Sequence, residues 1–185
     1  MQRSFSSEAI VLKRHNIGEY DRIVTLLTPD QGKVTCIAKG VRKLTSSQRA
    51  FLEPGNHVSI FFINTSSMPL ITQTKLLNNY PEMRQDLQHI KKLAEVLEII
   101  DLLFPEGVEE PELFQQITEL LEHLSQVTSS FRHVQEQLGD ILIQLGYQDF
   151  KETTYSSILS YVAAVADRPM RSYDYLTVKT LKGTA

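Results

Sequence analysis

Gly18–Lys43 reads GEYDRIVTLLTPDQGKVTCIAKGVRK, and the fold is decided in this stretch. Two apolar, strand-like runs, Arg22–Thr28 and Lys33–Lys39, flank Pro29-Asp30-Gln31-Gly32. Proline presets φ at the second turn position, Asp can bond its own backbone, and Gly accepts the closing conformation, so the three together predict a hairpin. Beyond the second run come Lys39-Gly40-Val41-Arg42-Lys43 and the polar Thr45-Ser46-Ser47-Gln48-Arg49. Between Asp30 and Glu53 lie Lys33, Lys39, Arg42, Lys43 and Arg49, with no acidic residue among them. A hairpin feeding a basic loop points to a polyanionic ligand.

Working outward, Glu8–Arg14 is rich in branched residues and reads as a strand before the hairpin. Glu53-Pro54-Gly55-Asn56 breaks the chain after it. His57–Ile63 (HVSIFFI) and Leu70–Leu76 then read as fourth and fifth strands, separated by the loop Asn64–Pro69. Five short strands with no convincing helix among them favour a closed barrel, which leaves no unpaired edge, and a five-stranded OB-fold is the expected form. The texture changes at Tyr80-Pro81, where the apolar period becomes helical. Ile90, Leu93, Leu97, Ile100 and Phe104 form one face, stopped by Pro105 and Gly107. Pro111 opens a second helix amid Glu109, Glu110 and Glu112, with Leu113, Phe114, Ile117, Leu120, Leu121 and Leu124 as its apolar face. A third, capped at Ser129 or Ser130, carries Phe131, Val134, Leu138, Ile141, Leu142 and Leu145, and ends at Gly146. A fourth is expected from about Thr153 to Ala166 on Tyr155, Ile158, Leu159, Val162 and Val165, with one more short helix in Ser172–Ala185. The fold class is therefore α+β, a barrel in residues 1–80 followed by a helical domain in 81–185.

The net charge of −3 conceals an asymmetry. Residues 1–80 hold ten Lys and Arg against five Asp and Glu, whereas residues 81–185 hold nine against seventeen. One half is suited to a polyanion and the other to a different task, such as a protein partner or an amphipathic peptide between helices. Cys36, the only cysteine, alternates with Val34 and Ala38 and reads as a buried filler, without disulfide or cysteine-based metal site. The histidines His15, His57, His89, His123 and His133 show no ligand spacing, and no phosphate-binding glycine motif or nucleophile elbow occurs. His123 with Glu119 reads as a solvated helix face, and Glu109, Glu110 and Glu112 as helix-start electrostatics. Nothing in these residues argues for an enzyme or calls for a cofactor. No apolar run reaches the length of a membrane span, and Met1–Phe5 lacks a signal-peptide core, so cytoplasmic residence is the expectation.

Lys33 and Lys39 are an even number of residues apart and point to one face of a regular strand. Arg42, Lys43 and Arg49 extend that surface, and Arg14 and Arg22 on the preceding strands complete the candidate set. A cationic barrel face with aromatic residues holds single-stranded nucleic acid with little sequence preference. Tyr20, Phe51, Phe61 and Phe62 are the stacking candidates, although Phe61 and Phe62 face opposite ways and one belongs in the core.

Several of these segments carry a resemblance. Glu8–Leu12, Gly18–Val24, Leu27-Thr28, Gly32, Lys39–Lys43, Leu52-Glu53-Pro54 and Thr72–Leu76 resemble the N-terminal signature of the RecO recombination mediators. A weaker echo returns at Arg168-Pro169-Met170-Arg171-Ser172. The resemblance implies an OB-fold DNA-binding domain followed by a helical domain. It further implies binding of single- and double-stranded DNA, annealing of complementary strands, and loading of the RecA recombinase onto DNA coated by single-strand-binding protein. RecR and the acidic C-terminal tail of single-strand-binding protein are the implied partners, the tail meeting the helical domain. Two features set the chain apart as a compact member: it has no four-cysteine zinc motif after Phe131–Leu145, and Gly146-Tyr147-Gln148-Asp149 runs almost directly into the last helix. From the residues alone, an RNA-binding OB module and a protein adaptor with a structural barrel remain open alternatives.

Overall fold

The computed structural model describes residues 4–126 and 131–172. Five strands close a barrel in the order β1-β2-β3-β5-β4: β1 Ser4–Ile17, β2 Asp21–Thr28, β3 Gly32–Ala38, β4 His57–Ile63 and β5 Leu70–Asn78. This is the strand order of an OB-fold. Every pairing is antiparallel except the closing one, where β3 meets β5 in parallel at Ile37 and Leu70 and the Ile37 N–H donates to the Pro69 carbonyl at 2.8 Å.

The first strand is longer than its apolar run because it serves two neighbours. Ser4–Ile10 pairs with β4, and Ile10–Ile17 pairs with β2. The register shifts between Val11 and Lys13, leaving Leu12 as the extra residue of a bulge that bends the strand from one partner to the other. Its uninterrupted apolar centre is buried on both faces. Ala9 and Val11 point into the barrel with Val24, Leu26, Cys36, Val58, Ile60 and Phe62. Ile10 and Leu12 point outward into a second core shared with the helices. A run that is apolar at every position, rather than at alternate ones, is the signature of such a two-sided strand.

The turn at 29–32 forms as expected but by a different bond. Thr28, not Asp30, supplies the side chain: its hydroxyl donates to the Gly32 carbonyl and accepts from the Gln31 N–H. Asp30 instead accepts from the Ser7 hydroxyl at 2.8 Å. A short helix, α1 (Gln48–Phe51), which the strand-only reading of this half missed, leads into Leu52. Leu52 and Val41 are buried in the barrel core, and the Gln48 side chain donates to the Thr72 carbonyl.

The helical part comprises α2 (Leu87–Leu103), α3 (Pro111–Ser125), α4 (Phe131–Gln144) and α5 (Ile158–Val165). Asp86 caps α2 by accepting from the Gln88 and His89 N–H groups. Leu93, Leu97, Ile100 and Phe104 are buried as their period requires, together with Val96, Ile99 and Leu103, while Ile90 is exposed. Gly146 takes φ +88° after α4, the left-handed ending expected of it. The last helix begins at Ile158 rather than near Thr153, because Ser157 and Ser160 form a reciprocal cap there and Phe150–Glu152 is a separate 3-10 turn capped by Asp149. Tyr155 and Val165 are accordingly exposed, and Ile158, Tyr161 and Val162 are buried. The cap expected at Ser129 or Ser130 and the short helix expected after Ser172 lie outside the described residues. Among those residues no helix is long and apolar enough to cross a membrane.

One glycine carries a sharp test of how barrel and helices meet. Gly32 has φ +60°, and a Cβ built on it falls 2.0 Å from the Val108 carbonyl oxygen. Gly18 has a similar φ of +53° but open space around it. Gly32→Ala is therefore expected to cost clearly more than Gly18→Ala, about 3 kcal/mol against about 1 kcal/mol, read from urea unfolding midpoints.

Candidate nucleic-acid interface

The loop joining β1 to β2 and the loop leaving β3 are tied into one unit. The Asp21 carboxylate accepts from the Gly40 N–H at 2.7 Å, and the Arg42 N–H donates to the Tyr20 carbonyl at 2.9 Å. An Arg42 guanidinium nitrogen donates to the Gly18 carbonyl at 3.2 Å. The Lys43 ammonium stands 5.7 Å from the centre of the exposed Tyr20 ring, within cation–π range, while the Tyr20 hydroxyl donates to Glu19. The outcome is a knob that presents Tyr20, Arg42 and Lys43 together. Glu19 and Asp21 thus serve these loops, and neither pairs with Arg22.

Beside the knob lies an open groove of about 480 Å³ on the outer face of β2 and β3. Its floor is Ile17, Ile23, Ile37 and Leu70, and its walls are Lys39 and the Thr65–Met68 part of the loop between β4 and β5. The Thr65 hydroxyl holds that loop by donating to the Met68 carbonyl at 2.8 Å and accepting from the Ser67 N–H. Ile23 and Ile37 were missed in the sequence, yet Ile37 shares its strand parity with Lys33 and Lys39, which was the available signal.

The seven candidate cations separate into two groups. Arg22 is only 3% exposed. Its guanidinium donates to the Asn16 side chain, the Arg49 carbonyl and the Glu53 carboxylate, each at 3.1 Å. Burial and the charge of Arg14 pull the Arg22 pKa down, and Glu53 partly restores it. Arg14 pairs with the other Glu53 oxygen at 2.8 Å. Lys33 does share a face of β3 with Lys39, but at the opposite end, where α2 covers it. Its ammonium donates to the Asp101 carbonyl at 2.7 Å, and burial draws its pKa below the usual range against the pull of Asp101 and Glu106. Lys39, Lys43 and Arg49 are exposed and Arg42 is half-buried, and these four form the accessible cationic rim free of carboxylate partners among the described residues; Arg14 is exposed too, but its guanidinium is held by Glu53. Of the aromatic candidates, Phe62 is in the barrel core with Phe5 edge-on against it, Phe51 packs against that core, and Phe61 is half-buried. Tyr20 alone of the four is exposed.

Among the described residues, no group of three or more His, Cys, Asp and Glu could hold a metal ion. Cys36 is fully buried and its thiol is pushed up to about 12 by desolvation.

A closed five-stranded barrel in this strand order, with its β2–β3 face open, defines the chain's N-terminal part as an OB-fold. The family described as "Recombination protein O N terminal" matches residues 1–80. Proteins named DNA repair protein RecO are similar as well. That of Syntrophomonas wolfei is 35% identical over 141 residues, covering 76% of this chain and 56% of the relative. That of Geobacter sulfurreducens is 34% identical over 141 residues, 76% of this chain and 58% of the relative. A Nocardioides protein reaches 45% over 76 residues, 41% of this chain and 31% of the relative. Over residues 1–80 the chain matches the N-terminal domain of the RecO family of DNA repair proteins, and it spans about half the length of the curated relatives it matches.

The division of the cations is testable by stability. Arg22→Met should lower unfolding free energy by about 2–3 kcal/mol, because Glu53 and two further acceptors lose a buried charged donor. Lys39→Gln should leave it within about 0.5 kcal/mol. Cys36 should resist a thiol reagent at neutral pH in the folded protein and react once denatured; rapid labelling of the native chain would contradict its burial.

Proposed function

We propose that this chain is a non-catalytic DNA-binding recombination mediator acting in DNA repair. On this reading the barrel holds single-stranded and, more loosely, double-stranded DNA, anneals complementary strands, and assists loading of RecA onto single-stranded DNA coated by single-strand-binding protein, with RecR as a partner. The observation that carries it is the accessible rim of Lys39, Arg42, Lys43 and Arg49 around an open OB-fold groove, in a chain whose relatives are named DNA repair proteins.

The physics of annealing follows from that rim. Two strands repel through their phosphates, and cations held on a rigid face neutralise part of that charge. A groove floored by Ile17, Ile23 and Ile37, with Tyr20 alongside, offers bases a surface with few hydrogen-bonding groups, so sequence is read by the second strand and not by the protein.

For the helical half, the same reading puts the acidic tail of single-strand-binding protein in a cavity of about 340 Å³ between α4 and the segment leading to α5. Ile143, Phe150 and Ile158 line it, with Arg132 and Lys151 at the rim alongside Glu136, Asp140 and Asp149. The absence of any atom within 4 Å of a Cβ at Gly139 leaves room for a side chain to enter.

Binding of a short fluorescent oligo-dT, of about 5 nucleotides, should weaken with salt with a log–log slope of about −3, four contacts at about 0.7 each. Charge reversal of Arg42 and Lys43 to Glu should remove most of the affinity and the annealing activity, including on DNA coated by single-strand-binding protein. A flat salt response, or DNA binding unchanged by the reversal, would favour a structural barrel in a protein adaptor. A clear preference for matched RNA would overturn the DNA assignment.

A further inference from the structure

The groove on β2 and β3 does not end at Ile23. That residue is also a wall of a second cleft, of about 500 Å³, between the barrel and α2. Four cations line this cleft, Lys13, Arg14, Arg168 and Arg171, against two carboxylates, Glu98 and Asp101. The two arginines from beyond α5 are the unexpected members, since the helical half carries the acidic excess.

Their position is built rather than incidental. After α5 the chain turns back through Asp167 at φ +51°, with the Arg168 N–H bonded to the Ala163 carbonyl at 3.1 Å. Met170 is buried in the helical core. The Arg171 and Ser172 N–H groups each donate to the Glu98 carboxylate at 2.7 Å, fastening the segment to α2. Burial works to raise the Glu98 carboxyl, but hydrogen bonds from Ser172 and Arg171 and the charge of Arg168 outweigh it and hold the group ionised below its usual range. Both carboxylates of the cleft are thus occupied, Glu98 by backbone and Asp101 by Lys13 at 2.7 Å. Lys13 and Arg14 are occupied too, by Asp101 and Glu53. Arg168 and Arg171 are exposed, and among the described residues neither guanidinium is within hydrogen-bond or 4 Å ion-pair reach of an acceptor, the Arg168 charge acting on Glu98 only from further off.

We infer that Arg168 and Arg171 extend the phosphate-binding track off the barrel, so that one nucleic-acid strand runs from the β2–β3 groove past Ile23 into the cleft against α2. This rests on the proposed function, and it adds a claim about footprint: the helical half contacts the strand directly instead of repelling it.

The test compares oligo-dT of about 5 and about 16 nucleotides, lengths at the two ends of the range bridged by OB-folds. Arg168→Gln/Arg171→Gln should bind the long strand roughly tenfold less tightly, with a salt slope shallower by about 1.4, and bind the short strand as before. Arg168→Lys/Arg171→Lys should recover the slope, which a fold defect would not. Equal losses at both lengths, or an unaltered slope on the long strand, would overturn the inference. Lys39→Gln/Arg42→Gln is the companion variant and should weaken both lengths. If it binds as wild type, the barrel reading itself fails, and that outcome is separable from failure of the cleft alone.

Discussion

Two lysines of the barrel converge on Asp101 near the end of α2, Lys13 on its carboxylate and Lys33 on its carbonyl, each at 2.7 Å. The last carbonyls of a helix lack intrahelical donors and carry the negative end of its dipole, so cations there both satisfy and stabilise them. Beneath this contact Ile10, Leu12 and Leu27 of the barrel join the helical core. Nearby, Gly32 lies against the Val108 backbone and the Gly107 N–H donates to the Lys33 carbonyl. The docking closes one end of the outer β-face. What remains open, around Ile23, Ile37 and Lys39, is what a ligand can reach.

A second arrangement sets the shape of that opening. Glu53 draws Arg14 and Arg22 together, and Arg22 in turn fixes the Arg49 carbonyl. Asn56 bonds the Ala50 and Phe51 carbonyls, and Arg84 bonds Asn56 and the Pro54 carbonyl. The long connection from β3 to β4 is thereby held along its length, although only four of its residues are helical. A basic loop held in this way presents its charges without losing the conformational entropy that a flexible loop would lose on binding.

The barrel was legible in the sequence because its determinants are local: branched runs, a Pro-Asp-Gln-Gly turn, and a switch of apolar period at Tyr80. The helical faces were legible for the same reason. The partition of the cations was not, because it depends on residues far apart in the chain. Nothing near Arg22 announces that Glu53 will bury it, and nothing near Lys33 announces Asp101. The helix expected from about Thr153 starts later because Tyr155, although in helical register with Ile158, Leu159 and Val162, precedes the Ser157–Ser160 cap, which is a three-dimensional event. Charge counts by half had a similar limit. They sum over a surface and so missed that Arg168 and Arg171 are folded back to the barrel side.

The central claim is that nucleic acid occupies the open β2–β3 face. Hydrogen–deuterium exchange of the chain with and without saturating single-stranded DNA tests it most directly. Slowed exchange in Gly18–Tyr20, Lys39–Lys43 and the Asn64–Pro69 loop, with the α4–α5 region unchanged, is the result this account predicts. Protection confined to α4 and α5, with those barrel loops exchanging as in the free protein, would contradict it.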